Sequence, residues 1–393
     1  MSKRPLILEP PTPEAASEAP PTLLPEKSGP ETNKAAGTRG KINQRMLSPI
    51  GLTALVFIMF VGLMGYGFTV LVGAGLKSSQ TTGGSAATSS SSSGGMNMNP
   101  TTTSGNVPNA TQNEGAQPAH YTVAADGAKE FHFTAEQVMW EPVHGHPRVL
   151  AWTLDGTVPG PTIQVTAGDH VRITITNHFP EGTTIHWHGL EIPANQDGVP
   201  GIGQDPIKPG QNFTYDFTIP LDNVGTYFYH SHYDDLTQVP SGLYGAFIVD
   251  PKPGTPEAAN AIQADQEYLQ MVSELGGYYV INSKSYPDTQ PMHVKHGQNI
   301  HVRLINIGEM IHPMHMHGHF FTEVAEDGQM LTNPQKMDTI TIAPGTSYDL
   351  VFNAWAAPGS IYPFHCHILS HVMNPGDKME EMGGLITLII YDK

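Results

Sequence analysis

Residues Pro363-Phe-His-Cys-His-Ile-Leu-Ser-His371 decide how this chain is read. Cys366 is the only cysteine among 393 residues, and a histidine stands on each side of it. In an extended strand successive side chains point to opposite faces, so residues i and i+2 share one. His365 and His367 therefore face one way and the Cys366 sulfur faces the other. Thiolate and imidazole are both copper ligands. One short strand thus offers metal donors on both of its faces.

Three further His-x-His pairs lie upstream: His186/His188, His230/His232 and His315/His317. One such pair alone would read as a surface coincidence. Four do not, because they sit at duplicated positions. Val165, Gly168, Val171, Ile173, Ile175 and Asn177 recur as Val294, Gly297, Ile300, Val302, Leu304 and Asn306, an offset of 129 that also relates His186/His188 to His315/His317. His230/His232 recur as His365/His367 with an offset of 135. One domain is therefore present twice, near residues 119–251 and 259–393, with Pro251-Lys-Pro-Gly-Thr-Pro256 as the seam. Eight imidazoles exceed the needs of one mononuclear site and suit a cluster of several coppers. His371, in the loop after Cys366, and His312, in Ile311-His-Pro-Met-His315, supply the two imidazoles that a thiolate-containing blue-copper site takes. The first half has Ser231 and Thr183 at the positions of Cys366 and His312, so this site is expected once per chain, in the second half.

The wider sequence points to an all-β fold. Gly and Pro number 41 and 34, and only 14% of residues are charged, which argues against long charged helices. Short alternating runs bounded by turn residues, such as Val171-Arg-Ile-Thr-Ile-Thr176 and Leu385-Ile-Thr-Leu-Ile-Ile390, predict sandwiches or barrels. The net charge of −17 lacks the basic footprint of a nucleic-acid binder. A lone cysteine excludes an intrachain disulfide and a zinc site built on several cysteines.

Ahead of the two domains, residues 1–46 read as a disordered segment rich in Pro, Glu and Lys. Residues 47–76 carry no charge and are long enough for one transmembrane helix. Arg39, Lys41 and Arg45 precede it, which places the N-terminus in the cytoplasm and the rest outside, in the periplasm or at the cell surface. A cleaved signal peptide is the rival reading, but the leader is long for one. Residues 77–118 are a Ser/Gly/Thr-rich linker, and Met96 and Met98 within it are read as chance placements.

His186-Trp-His-Gly, Tyr229-His-Ser-His, His312-Pro-Met-His-Met-His-Gly-His and His365-Cys-His-Ile-Leu-Ser-His together resemble the copper motifs of the multicopper oxidases, the laccase-like group. Gly156-Thr-Val-Pro-Gly-Pro, Asp197-Gly-Val-Pro-Gly and Gly242-Leu-Tyr-Gly-Ala add to the likeness, which covers residues 119–393. The resemblance implies two tandem cupredoxin-type Greek-key sandwiches and four coppers per chain. It makes His312, Cys366 and His371 the type 1 ligands, and His186 and His315 the type 2 ligands. His188, His230, His232, His317, His365 and His367 would hold the type 3 pair. Implied activity is one-electron oxidation of a phenolic or metal-ion reductant, coupled to reduction of O₂ to water. Most laccases have three such domains. Two resemble the two-domain laccases, in which a homotrimer shares its trinuclear sites between subunits, and two half-sites on each chain suit such a head-to-tail ring.

The loop after His371 holds Met373, Met379 and Met382. Met382 is taken as the axial ligand because it directly precedes the last predicted strand. Asp197 matches an acid near the family's cluster and reads either as a proton relay or as the residue of an Asp-Gly turn. Val372 replaces another acid of the family pattern. Eight of the remaining histidines, His301 and His319 among them, read as surface or structural residues. Two rival functions are a copper nitrite reductase and a non-catalytic copper-binding protein on the same scaffold. Ser231 and Thr183 count against the first. Retention of ten candidate histidines and Cys366 counts against the second.

Overall fold

The computed structural model describes residues 107–378 and 381–393. Segment 1–46, the expected helix over 47–76 and most of the 77–118 linker lie outside the described residues, as does Met379. Among the described residues no helix is long and apolar enough to cross a membrane.

Short strands dominate. The first half carries β1 (Thr122–Val123), β2 (Lys129–Trp140), β3 (Val149–Leu154), β4 (Ile163–Thr166), β5 (His170–Asn177), β6 (Ile185–His188), β7 (Asn212–Thr218), β8 (Gly225–Ser231) and β9 (Tyr244–Asp250). One sheet runs β1-β2-β5-β7 with β3 also on β2, and the other runs β4-β9-β8-β6. Strict alternation produces the layering: β5 buries Val171, Ile173 and Ile175 and turns Arg172 and Thr174 outward. Those side chains meet Trp187, Tyr229 and Phe247 of the second sheet in one shared core.

The second half carries β10 (Gln266–Leu275), β11 (Tyr278–Ile281), β12 (Met292–Val294), β13 (Asn299–Asn306), β14 (His312–Met316), β15 (Phe321–Glu326), β16 (Gln329–Met337), β17 (Thr339–Ile342), β18 (Thr346–Asn353), β19 (Ile361–Cys366) and β20 (Ile386–Tyr391). Its sheets run β11-β10-β13-β18-β15-β16 and β12-β20-β19-β14-β17. The internal repeat is visible in the pairing. β6 sets Ile185 opposite Ser231 and His186 opposite His230, while β14 sets Met314 opposite Cys366 and His315 opposite His365. These pairs are related by the offsets of 129 and 135 read from the sequence.

A third apolar cluster joins the halves. Trp140, Phe228, Tyr244 and Ile248 of the first pack with Met271, Leu275, Tyr278 and Ile305 of the second. The Trp140 indole N–H donates to the Ser283 carbonyl at 2.9 Å, so its polar edge is satisfied inside this contact. A polar network also crosses between the halves, with Thr226, His301 and Asp349 buried and Glu267 at its exposed end. Thr226 donates to Asp349 Oδ1 at 2.7 Å, and His301 bridges Asp349 at 2.7 Å and Glu267 at 2.9 Å. Burial alone pushes His301 down, but its bonds to Asp349 and Glu267 outweigh that and hold it above the ordinary histidine value. Thr226 lies on β8, the strand that carries His230, so the network fixes a histidine-bearing strand against the second sandwich. His301 and His319 are both buried, which agrees with a structural role.

Candidate metal centres

His312, Cys366 and His371 converge in the second sandwich, all buried. Cys366 Sγ lies 3.8 Å from His312 Nδ1 and 3.7 Å from His371 Nδ1, and the two nitrogens are 3.1 Å apart. A point in the plane of that triangle lies about 2.1 Å from all three donors, close to the length of a first-row metal–ligand bond. The donor set therefore fits a copper of the blue type. Local structure explains the convergence. His312 opens β14 and Cys366 ends β19, two strands paired antiparallel, and a single 3₁₀ turn (Leu369–His371) swings the third donor back.

Two further residues shape this triad. The Glu274 carboxylate on β10 accepts from His312 Nε2 at 3.0 Å, which leaves Nδ1 with its lone pair turned to the sulfur. Tyr279 on β11 stacks on His371, with ring centroids 4.1 Å apart. The sequence reading missed both. No motif marks them, because β10 and β11 belong to the other sheet and reach the site only through folding. Burial pushes the Cys366 thiol up and the His371 imidazole down in the metal-free protein. A neutral imidazole is ready to bind, whereas the thiol must lose a proton to the incoming ion.

The other eight histidines form two quartets, one on each sandwich. In the first, His186, His188 and His230 bring ligand atoms within 4.8 Å of one another, and the His232 ring lies 5.5 Å from His186. In the second, His317 Nε2 and His365 Nε2 are 2.9 Å apart, and His315 lies 5.9 Å and 6.0 Å from His365 and His367. Alternation sets their direction: β6 and β14 bury Ile185, Trp187, Met314 and Met316 and turn the intervening histidines out of the core. Backbone oxygens select the free nitrogen. His186, His230, His315 and His365 each hold Nδ1 at 2.7–3.0 Å from a carbonyl, so Nε2 is the atom presented. Burial pushes His230 down to about 3, which favours the neutral imidazole that can bind a metal. Among the described residues, ring contacts run within each quartet and none joins the two. His317 and His367 are exposed, so the second quartet faces open solvent in the single chain.

Asp197 is brought to the first quartet. Its carbonyl lies 2.8 Å and its carboxylate 3.2 Å from His186 Nδ1. Gly198, at φ +80°, packs so closely on β6 that a Cβ there would fall 1.9 Å from the Ile185 carbonyl. The Asp-Gly turn therefore seats the aspartate on the histidine. Met382 departs from expectation. It is 58% exposed, whereas all three residues of the triad are buried. The last strand begins at Ile386, one residue after the start of the expected run.

Two multicopper oxidase family models match the chain, one over residues 134–254 and one over residues 255–375. The fold is similar to that of the blue copper oxidase from Nitrosomonas europaea, at 35% identity over 67% of this chain and 85% of that one, with a TM-score of 0.61. The chain belongs to the multicopper oxidases. It is 33% identical to laccase-20 of Oryza sativa subsp. japonica over 253 residues, 57% of this chain and 42% of that protein. It is 36% identical to a copper resistance protein A homolog from Pseudomonas syringae pv. tomato over 148 residues, 35% of this chain and 24% of that one. The chain spans about two-fifths of the length of the laccases it matches first.

Proposed function

We propose that the chain is a two-domain, laccase-like multicopper oxidase that holds four coppers, one at the sulfur-containing triad and three on the histidine quartets. The observation that carries this reading is the division of one strand end: Cys366 turned into the buried triad, and His365 and His367 turned out of the core. Bound copper would supply one-electron oxidation of a reductant on the sulfur side and reduction of O₂ to water on the imidazole side. The chain's own residues supply the arrangement. Cys366 shares its backbone with both neighbouring histidines, so a few covalent bonds join the two sites. Glu274 and Asp197 hold His312 and His186 in the orientation their free nitrogens need.

Each sandwich carries half of the imidazoles. The reading is therefore completed by a head-to-tail homotrimer in which the first quartet of one subunit meets the second quartet of the next. Residues 47–76 would anchor the chain with its copper domains outside the membrane. A phenolic compound is the default reductant, with Mn(II), Fe(II) or Cu(I) as the metal-ion variant. Oxygen uptake by the copper-loaded protein with each reductant in turn separates them. Turnover of a phenol is expected. Rapid oxidation of an ion with none of phenols would replace the default.

A further inference from the structure

We infer that His301 is the proton-bearing element of a latch between the two sandwiches: protonated, it holds β8 against β18, and it releases β8 when the proton leaves. The geometry at its two ring nitrogens carries the argument. Nε2 lies 2.7 Å from Asp349 Oδ1, and Nδ1 lies 2.9 Å from Glu267 Oε2. A protonated imidazole donates from both nitrogens, and a neutral one donates from one only. Without the proton, a nitrogen lone pair faces a carboxylate oxygen at hydrogen-bond distance, whichever tautomer is taken. His301 and Asp349 are both buried, so little solvent is at hand to replace the lost bond.

The loss is felt across the seam. Asp349 Oδ1 also accepts from the Thr226 hydroxyl at 2.7 Å and from Arg303 Nη1 at 3.4 Å. Arg303 Nη1 donates to Thr226 Oγ1 at 2.6 Å, and Nη2 donates to Glu267 at 2.9 Å. Thr226 belongs to β8 of the first sandwich, whereas Glu267, His301, Arg303 and Asp349 lie on β10, β13 and β18 of the second. The Ser347 hydroxyl of β18 adds a bond to the Thr226 carbonyl at 2.6 Å. Further along β8, Phe228 stacks on His188 with ring centroids 4.3 Å apart, and His230 follows. Whatever loosens β8 therefore reaches the first histidine quartet.

Charge works in the same direction. His301 and Arg303 together balance Asp349 and Glu267. Asp250, at the end of β9, adds negative charge toward Arg303. Burial pushes the Tyr227 hydroxyl of β8 up to about 12, so it stays neutral. Loss of the His301 proton leaves Arg303 alone among three carboxylates. Burial pushes His301 down, but its bonds to Asp349 and Glu267 outweigh this and hold it above the ordinary value of 6.5. A base held above its unfolded value contributes stability that is complete below about pH 6.5. That stability is lost as the pH rises through the folded value.

The test is amide hydrogen–deuterium exchange of the copper-loaded full-length chain from about pH 6 to about pH 9, with rates corrected for base catalysis of exchange. One proton caps the effect at about tenfold per pH unit, and protection of the β8 amides is expected to fall at least about threefold over the range. His301→Gln cannot titrate, so its β8 protection should fall less than about threefold. Thr226→Val cuts the tie to β8 and leaves His301 paired, and the same result is expected. A fall of less than threefold in the unsubstituted chain overturns the latch, and so does a fall of threefold or more in His301→Gln. If His301→Gln does not fold, Thr226→Val decides by the same criterion.

Discussion

Cys366→Ser is expected to remove the blue absorption entirely and to reduce oxidation of every reductant at this site to the rate without enzyme. The blue colour belongs to the copper–thiolate bond, and the chain has no second thiol to replace the one lost. The variant should still fold. Ser231 occupies the equivalent place in the first sandwich, fully buried, with its hydroxyl 2.7 Å from Gln238 Oε1. In the second sandwich the Ile368 N–H already points at the sulfur from 3.4 Å and offers a hydroxyl the same partner. The histidine quartets are untouched, so their copper should remain. Visible absorption and metal analysis of the folded variant check this. A blue Cys366→Ser protein would mean that the triad is not the chromophore.

The second large effect is a recovery of activity on mixing. A chain with His186→Ala lacks one quartet and a chain with His365→Ala lacks the other, so each alone should be inactive. If trinuclear sites form between neighbouring subunits, some interfaces of a mixed ring combine an intact first quartet with an intact second one. Random assembly of equal amounts leaves about a quarter of the interfaces complete. Oxygen uptake should therefore return to about a quarter of the unsubstituted rate after unfolding, mixing and refolding with copper. Sites formed within one chain predict no recovery, and that result would end the shared-site reading. The separation of the quartets in the single chain motivates the prediction.

The donors of the site were legible in the sequence because they depend on local geometry. Alternation along a strand places His365 and His367 opposite Cys366 whatever the rest of the chain does. Duplication then carries the argument to His186, His188, His230, His232, His315 and His317, and the paired registers of β6–β8 and β14–β19 agree with it. What surrounds the donors was not legible. Glu274 and Tyr279 come from the opposite sheet, and nothing within a few residues of them marks their role. The exposure of Met382 was not legible either, because the course of its loop is set by a glycine pair folded against His371 and Asn374. The third core between the sandwiches was also hidden, because Trp140 and Met271 look like ordinary strand residues until both halves are folded.

Metal analysis of the purified full-length chain after copper loading, with its visible spectrum, tests most directly whether one strand serves two kinds of site. Four coppers per chain and an intense blue band are expected. A colourless protein holding a single metal ion would contradict the account.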